Sequence, residues 1–295
     1  MFESSQPDPR AGRRRITRRN FLIAGGAAGL GIAAYAGTHA RHELEVVQVP
    51  LAIRNLPDAF VGFCIVQLSD LHLHEFTEPW FAELVVERVN SLQPDLVLFT
   101  GDLISDGPHE WPFSWKAAGE AAEILSRLRA PQRFAIPGNH DDVVGVRHIV
   151  EPLEAHGTPV LLDRHVPIER GGDRFWLCGT QDALYNRPDF SKTIPVDPKE
   201  PVFLMIHEPD IAHLLAPHRY GKLIDVMFSG HSHGGQVRLP WIGPLQLPEL
   251  GRMYVQGLYQ VGSMQLYVNR GIGTTGLPFR LNCKPEITEF TLARA

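Results

Sequence analysis

The sequence predicts an α/β fold in which helices connect the strands over the first half of the chain. Short apolar runs recur between residues 45 and 295, and helical periodicity separates the first two of them. Alternation of strand and helix favours parallel strands joined by crossovers. The second half contains more strand-like runs and more loops, which indicates a mixed sheet or a second sheet.

Eight apolar runs have the length and composition of buried strands. They cover residues 62–69, 95–100, 133–137, 174–180, 202–207, 225–229, 265–269 and 286–292. Two segments have helical spacing instead: one follows Pro79, which suits a first helical turn, and the other covers residues 117–129. Residues 181–200 have no apolar period, so we predict a surface excursion. No change of composition divides residues 45–295, and we predict one domain there.

A separate export segment is predicted over residues 1–40. A basic stretch precedes an apolar run from Phe21 to about Gly37 that is rich in Gly and Ala. Residues 17–22, TRRNFL, resemble a twin-arginine signal, which implies that the twin-arginine machinery exports the folded protein to the periplasm or cell envelope. Small residues ending at Ala40 fit a cleavage site. The alternative is an uncleaved membrane anchor or a basic tail, because the run is at the lower limit of spanning length.

The charge distribution disfavours nucleic acid as a partner. The formal charge of −5 combines +4 over residues 1–40 with −9 over residues 41–295. An acidic body does not suit a protein that binds phosphate backbones without sequence preference. Three cysteines, Cys64, Cys178 and Cys283, lie far apart, so neither a disulfide framework nor a cysteine-based zinc site is predicted.

Polar side chains follow five of the predicted strands, at the point where each strand ends. In chain order they are Asp70, His72, Asp102, Asn139, His140, His207, His231 and His233. Taken singly, such an Asp caps a helix, such an Asn forms a turn, and such a His packs in a core. Together they occupy the carboxyl ends of strands, where open α/β sheets place their sites.

A cation explains this arrangement better than packing does. Carboxylates and imidazoles that converge without a partner would be costly to remove from water. Imidazoles, two carboxylates and an amide oxygen are too many ligands for one tetrahedral ion, but they suit two ions of higher coordination number. We therefore predict two divalent cations, Mn, Fe or Zn, which this ligand chemistry does not distinguish.

The ordered set D-x-H, G-D, G-N-H-D, H, G-H-x-H over residues 60–235 resembles the calcineurin-like metallophosphoesterase superfamily. The flanking stretches at 55–73 and 269–292 resemble its exported subgroup, whose members often carry a twin-arginine signal. The resemblance implies a four-layer α-β-β-α sandwich with two mixed sheets over residues 45–295. It places a dimetal site at the carboxyl ends of the strands.

The resemblance also implies a role for each residue. One metal would be held by Asp70, His72, Asp102 and His233. The second metal would be held by Asp102 as a bridging ligand, Asn139, His207 and His231. His140 matches the residue near the leaving group, and Asp106 is a possible partner for it. His74 is expected to line the pocket or face solvent.

The implied activity is hydrolysis of a phosphoester, as in a phosphodiesterase or pyrophosphatase. Members of the subgroup are linked to the cell envelope and to lipid-attached substrates such as UDP-2,3-diacylglucosamine. Apolar residues after His233 predict a rim for a lipid chain, or else a packed loop: Trp241, Ile242, Leu245, Leu247 and Leu250. Alternatives are a broad-specificity exported phosphatase and a non-catalytic envelope-binding protein on the same fold.

Two other metallohydrolase classes are disfavoured by spacing. A metallo-β-lactamase would need H-x-H-x-D-H, and residues 72–77, HLHEFT, supply only the first two histidines. A zinc peptidase would need H-E-x-x-H on a helix. In residues 207–213, HEPDIAH, the histidines are six residues apart and a proline intervenes.

Overall fold

A computed structural model describes residues 17–107 and 111–295. The first part of the predicted export segment, residues 1–16, lies outside the described residues. The helices are α1 (Arg18–Thr38), α2 (Pro79–Leu92), α3 (Trp111–Ser126), α4 (Asn139–Val144), α5 (Arg147–Ala155), α6 (Phe190–Thr193) and α7 (Ile211–Leu215). Short 3₁₀ helices cover Ala40–His42, Asp58–Phe60 and His233–Gly235.

The strands form two large mixed sheets and a small hairpin. They are β1 (Glu45–Ile53), β2 (Cys64–Leu68), β3 (Leu96–Thr100), β4 (Gln132–Ile136), β5 (Arg164–Arg170), β6 (Asp173–Gly179), β7 (Val202–Met205), β8 (Val226–Ser229), β9 (Arg238–Leu239), β10 (Gly243–Pro244), β11 (Gly257–Val261), β12 (Met264–Val268) and β13 (Glu286–Arg294). The first sheet has the order β1-β13-β2-β3-β4, and the second has the order β11-β12-β8-β7-β6-β5. The predicted α/β fold with two mixed sheets is confirmed.

Three apolar clusters show how the layers pack. One cluster fills the space between the two sheets and includes Ile65 and Leu98 from the first and Phe203 from the second. Another lies between the outer face of the first sheet and helices α2, α3 and α5. The third lies on the outer face of the second sheet, under α7 and part of α6. Helices therefore cover the outer face of each sheet.

The parallel strands bring the site to one edge of both sheets. Strands β2, β3 and β4 are parallel neighbours in the first sheet, and β7 and β8 are parallel neighbours in the second. Each of the five is followed directly by one of the predicted polar motifs. Because the sheets pack face to face, the five carboxyl ends meet at a single place in the fold.

All eight predicted strands are present, with ends that differ by one or two residues. Strands β1, β5 and β11 of the large sheets were not predicted, and all three lie at sheet edges; the short strands β9 and β10 of the hairpin were not predicted either. Both predicted helices are present, and the second begins earlier than expected, at Trp111. The excursion at 181–200 contains the single-turn helix α6, and its Asp182 and Ile194 side chains are buried.

Helix α1 carries the predicted apolar run and is attached to the body by its last turn. The hydroxyl of Thr17 accepts a hydrogen bond from the backbone N–H of Asn20 and caps the helix start. By length and composition the helix could cross a membrane. Its other end contacts the body, where the backbone N–H of Arg280 donates to the carbonyl of Ala36 (3.1 Å).

Candidate metal centre

The structure brings all eight predicted site residues together. The ligand atoms of seven of them, all except Asn139, form three groups, and within each group the atoms lie within 4.8 Å of one another. The groups are Asp70, His72 and His233; Asp102, His207 and His231; and His72, Asp102 and His140. The first two groups consist of residues that the sequence assigns to two different ions, and Asp102 also belongs to the third group, with His72.

Hydrogen bonds fix which nitrogen of His207 is free. Its Nδ1 lies 2.7 Å from the carbonyl oxygen of Thr100, and because a carbonyl only accepts, Nδ1 carries the proton. Burial lowers the pKa of His207, but the carboxylates of Asp102 and Asp70 outweigh burial and raise it well above its usual range, so Nε2 also carries a proton, which a bound cation would displace. Nε2 has no hydrogen-bond partner among the described residues, although it is fully buried and 3.1 Å from Oδ2 of Asp102. A cation between these two atoms would satisfy both.

His231 is oriented in the same way from the other side of the cluster. Its Nε2 donates to the carbonyl oxygen of Glu249 (2.7 Å), which leaves the lone pair on Nδ1. Burial lowers the pKa of His231 to about 4, so the ring is neutral at physiological pH. A neutral imidazole with a fixed tautomer is the form that binds metal ions.

His72 and His233 face each other through their ring nitrogens. The two Nε2 atoms are 3.0 Å apart, and the ring planes are inclined by only 29°. On the far side of His72, Nδ1 lies 2.6 Å from Oγ of Ser105, whose hydroxyl in turn donates to Glu75. The hydroxyl proton goes to Glu75, so Ser105 accepts from Nδ1 and the lone pair of His72 is on Nε2. Burial lowers the pKa of His72 to about 3.

The two carboxylates are buried and held by backbone N–H groups. Asp70 accepts from the backbone N–H of His231 (3.0 and 3.1 Å), and Asp102 accepts from that of His140 (3.0 Å). Burial raises the pKa of Asp70 to about 6. Burial also raises that of Asp102, but the imidazoles of His207 and His140 outweigh it and hold the pKa well below its usual range.

One further buried atom points to a missing partner. Oδ1 of Asn139, like Nε2 of His207, has no hydrogen-bond partner among the described residues. Buried polar atoms are almost always paired in folded proteins, so two orphans in one cluster indicate a group that they bind. Amide oxygen, carboxylate and imidazole ligands together fit divalent cations of the first transition row.

The backbone at the ligand positions is strained. Asp70, His72, Asp102, His231 and His233 have φ values of 51°, 46°, 55°, 68° and 51°, in the left-handed region that side chains rarely adopt. Each such residue costs roughly 1–3 kcal/mol, and such residues are concentrated at functional sites. The turn after each strand thus directs the side chain inward at a cost that the rest of the fold offsets.

The family model for calcineurin-like phosphoesterases matches residues 64–235, which contain every predicted ligand. The chain belongs to this family. It is 33% identical over 95% of its length to an uncharacterised metallophosphoesterase, YkuE of Bacillus subtilis, and covers 98% of that protein. It is 31% identical over 94% of its length to the phosphodiesterase YaeI of Escherichia coli, 99% of which is covered.

A third relative has a named substrate. The chain is 31% identical, over 74% of its length, to the UDP-2,3-diacylglucosamine pyrophosphatase LpxG of Chlamydia trachomatis, 81% of which is covered. Family and relatives together make this protein a phosphoester hydrolase. The calcineurin-like family uses two metal ions, and the clustered Asp and His residues of this chain are groups that could bind them.

His140 of this phosphoesterase stands at the edge of the cluster, beside a carboxylate. Its Nδ1 lies 2.6 Å from Oδ1 of Asp106, the partner that the sequence offered. Burial lowers the pKa of His140, but Asp102 and Asp106 outweigh burial and raise it to about 9.

His74 lies outside the pocket described below, and its Nε2 is 2.9 Å from Oε2 of Glu120.

Several supporting residues of the phosphoesterase site were not assigned a role from the sequence. Ser105 and Glu75 orient His72, and the carbonyl of Thr100 orients His207. The carboxylate of Asp141, the last letter of G-N-H-D, accepts from the backbone N–H of Leu103 (3.0 Å) and thus joins the turns after β3 and β4. Only Asp141 had a signal in the sequence, its place in the motif.

A pocket of about 370 Å³ opens directly over the cluster. Asp102, Asn139, His140, His231 and His233 form its floor. Its walls are mainly apolar and include Leu184, Val237, Leu245, Pro248 and Leu277. A substrate that entered this pocket would meet the predicted metal ligands at the bottom of an apolar cleft.

Proposed function

We propose that this protein is a two-metal phosphodiesterase or pyrophosphatase that cleaves a lipid-linked phosphoester at the cell envelope. The observation that carries the proposal is the apolar pocket over the cluster of Asp and His residues. The cluster supplies the chemistry for a phosphoester, and the walls supply surface for an acyl chain.

We assign the metal ligands by cluster and tautomer. Asp70, His72 and His233 would hold one ion, His207, His231 and Asn139 the other, and Asp102 would bridge them. Bound divalent cations supply Lewis acidity and neutralise charge on the transferring phosphoryl group. The protein's part is to orient the imidazoles, through Thr100, Glu249 and Ser105.

His140 is the residue that we propose to donate a proton to the leaving oxygen. Asp106 binds Nδ1, so Nε2 is the nitrogen free to face the substrate in the pocket. The carboxylate of Asp106 beside Nδ1 raises the pKa of His140 and so favours the protonated ring, which is the state that an acid requires. Such a proton transfer typically contributes ~10²–10⁴ in rate.

Two observations support a lipid-linked substrate. Leu245 and Leu277 line the pocket and are also exposed, so the apolar wall continues from the cleft to the surface. The similarity to LpxG, named for a pyrophosphate that carries two acyl chains, supports the same class of substrate here. Trp241 and Ile242 extend this apolar surface on the hairpin β9–β10.

We further propose that residues 45–295 form the enzyme domain and that residues 1–40 direct it to the envelope. The TRRNFL stretch at the start of α1 and the apolar composition of that helix support a twin-arginine signal. A twin-arginine signal exports a protein that is already folded. This suits a site whose residues come from both sheets and meet only when the chain has folded.

The test compares kcat/KM on a lipid-linked pyrophosphate in detergent with kcat/KM on a soluble aryl phosphodiester. We expect a clear preference for the lipid-linked substrate, and we expect Trp241→Ser with Leu245→Ser to remove it. Val196→Ser is the control, because Val196 is exposed but precedes β7, at the opposite edge of the sheet from the site. Similar values on both substrates would refute the lipid assignment in favour of a broad-specificity exported phosphatase. No turnover of either would favour a non-catalytic binding protein.

A further inference from the structure

The apolar tip of the β9–β10 hairpin has no packing role. Trp241 and Ile242 form the turn between Leu239 and Gly243, and both side chains are exposed. Trp241 has a φ of 63°, which costs free energy for a side chain that gains no burial in return. Tryptophan in such a position is typical of proteins that contact the interface of a lipid bilayer.

The hairpin is joined to the loop that precedes β13. Val237 pairs with Leu281, and the backbone N–H of Arg238 donates to the carbonyl of Leu281 (2.9 Å). The side chain of Gln236 donates to the carbonyls of Thr275 (3.2 Å) and Leu277 (3.0 Å). Hairpin and loop therefore form one rigid rim of the pocket.

The same loop binds the end of helix α1. The Arg280 N–H donates to the carbonyl of Ala36, and the ring of Phe279 packs so closely on Gly37 that a side chain there would overlap it. The fully buried guanidinium of Arg280 donates to the carbonyls of Arg270 (2.9 Å) and Gly271 (3.1 Å), so the loop is fixed from within. The rim thus has a defined position relative to the end of α1.

Helix α1 has the dimensions of a membrane span. Its 21 residues correspond to about 30 Å at ~1.5 Å per residue, the thickness of a bilayer's hydrocarbon core. Its large apolar side chains, among them Phe21, Leu22 and Leu30, are exposed to solvent. The helix buries only Ala36, in the turn that contacts the body.

The charge of the rim agrees with a membrane surface. Residues 234–248 and 269–284 contain no Asp or Glu, although residues 41–295 carry a net charge of −9. Of their four cations, Arg280 is buried, Arg270 pairs with Glu45 and Glu286, and Lys284 pairs with Glu43, which leaves Arg238 on the hairpin. The hairpin therefore presents a cation and no carboxylate, which avoids repulsion by anionic lipid headgroups.

We propose that α1 is retained as a membrane anchor and that the hairpin tip, Trp241 and Ile242, inserts into the same membrane, so that the pocket opens against the lipid surface. Two attachment points fix the orientation of the enzyme, whereas one flexible anchor would not. In this orientation a lipid-linked phosphoester would enter the pocket without leaving the bilayer. This advantage rests on the proposed function, in which the substrate is lipid-linked.

The test measures lipid contact independently of turnover. The full chain is reconstituted into vesicles of phosphatidylethanolamine and phosphatidylglycerol, with the partly exposed Cys64 changed to Ser; Cys178 and Cys283 are buried. An environment-sensitive fluorophore is attached through Trp241→Cys, or through Val196→Cys as the matched control. Both positions are exposed, so neither change disturbs packing.

We expect spin-labelled lipids to quench the fluorophore at position 241 several-fold more strongly than at position 196. Equal quenching at the two positions would overturn the proposal. The proposal would also be overturned if mass spectrometry of the protein isolated from membranes showed cleavage after Ala40, because α1 would then be absent. Strong quenching at position 241 combined with preference for a soluble substrate would retain the docking and refute only the lipid-linked substrate.

Discussion

The contact between Asp106 and His140 controls the acid strength of the proposed proton donor. Asp106→Asn removes the carboxylate charge and leaves an amide of nearly the same shape 2.6 Å from Nδ1. The side chain of Asp106 is 38% exposed, and that of His140 is 22% exposed. The substitution should therefore lower the pKa of His140 without opening a cavity.

The size of the effect follows from the geometry. Two unit charges about 4 Å apart attract by ~1 kcal/mol in water and by ~4 kcal/mol at an effective dielectric constant near 20. Because Asp106 is more than one-third exposed, the lower part of this range applies. About 1.4 kcal/mol corresponds to one pKa unit. Bound cations lower the pKa of His140 in wild type and variant alike, so the two proteins are compared with each other.

The direction of the shift in the pH profile follows from the role of His140. An acid is active while protonated, so kcat/KM falls as pH rises through its pKa, and a lower pKa moves this fall to lower pH. We expect the descending limb for an alkyl phosphodiester to shift down by about one pH unit in Asp106→Asn. The control is Asp142→Asn, which removes a carboxylate from α4, the helix that carries His140. Superimposable profiles for wild type and Asp106→Asn would refute the coupling, as would an equal shift in the control.

Three further predictions concern metals, the leaving group and export. Elemental analysis of the active enzyme should find two first-row divalent ions, and Asp102→Asn should weaken both sites at once, because the shared ligand loses its charge. His140→Asn should keep both ions and lose ~10²–10⁴ in kcat for poor leaving groups, with a much smaller loss for a nitrophenolate; equal losses would leave only an electrostatic role. Changing Arg18 and Arg19 to Lys should keep the protein in the cytoplasm, as cell fractionation would show. Normal export of that variant would favour a general secretory signal.

Much of the sheet structure could be predicted because central strands are buried on both faces. Residues 96–99 and 202–206 are continuously apolar, which is how fully buried parallel strands appear in a sequence. The missed strands β1, β5 and β11 are edge strands, and their apolar residues alternate with exposed polar ones. Strand β1 also contains Pro50, which an edge strand tolerates.

The site was predictable in residue type but not in its supporting contacts. The polar residues stand directly after the strands, so chain order alone placed them at one edge of the fold. The contacts that select the tautomers, from Ser105, Thr100 and Glu249, join residues that are 18 to 107 positions apart. No local pattern distinguishes Ser105 or Glu249 from any other polar loop residue. These roles become visible only when both sheets are assembled.

The strain at the ligands ties metal binding to the stability of the fold. Five of the proposed ligand residues have left-handed backbone, and glycines allow the turns that carry them to approach one another closely. A side chain at Gly138 would overlap the carboxylate of Asp102, and one at Gly230 would overlap Ser69 and Asp70. Without cations, the fold must also bear two imidazole nitrogens 3.0 Å apart and an unpartnered, buried His207 Nε2. Divalent ions relieve these costs only in the folded state, so metal binding must add to the free energy of unfolding.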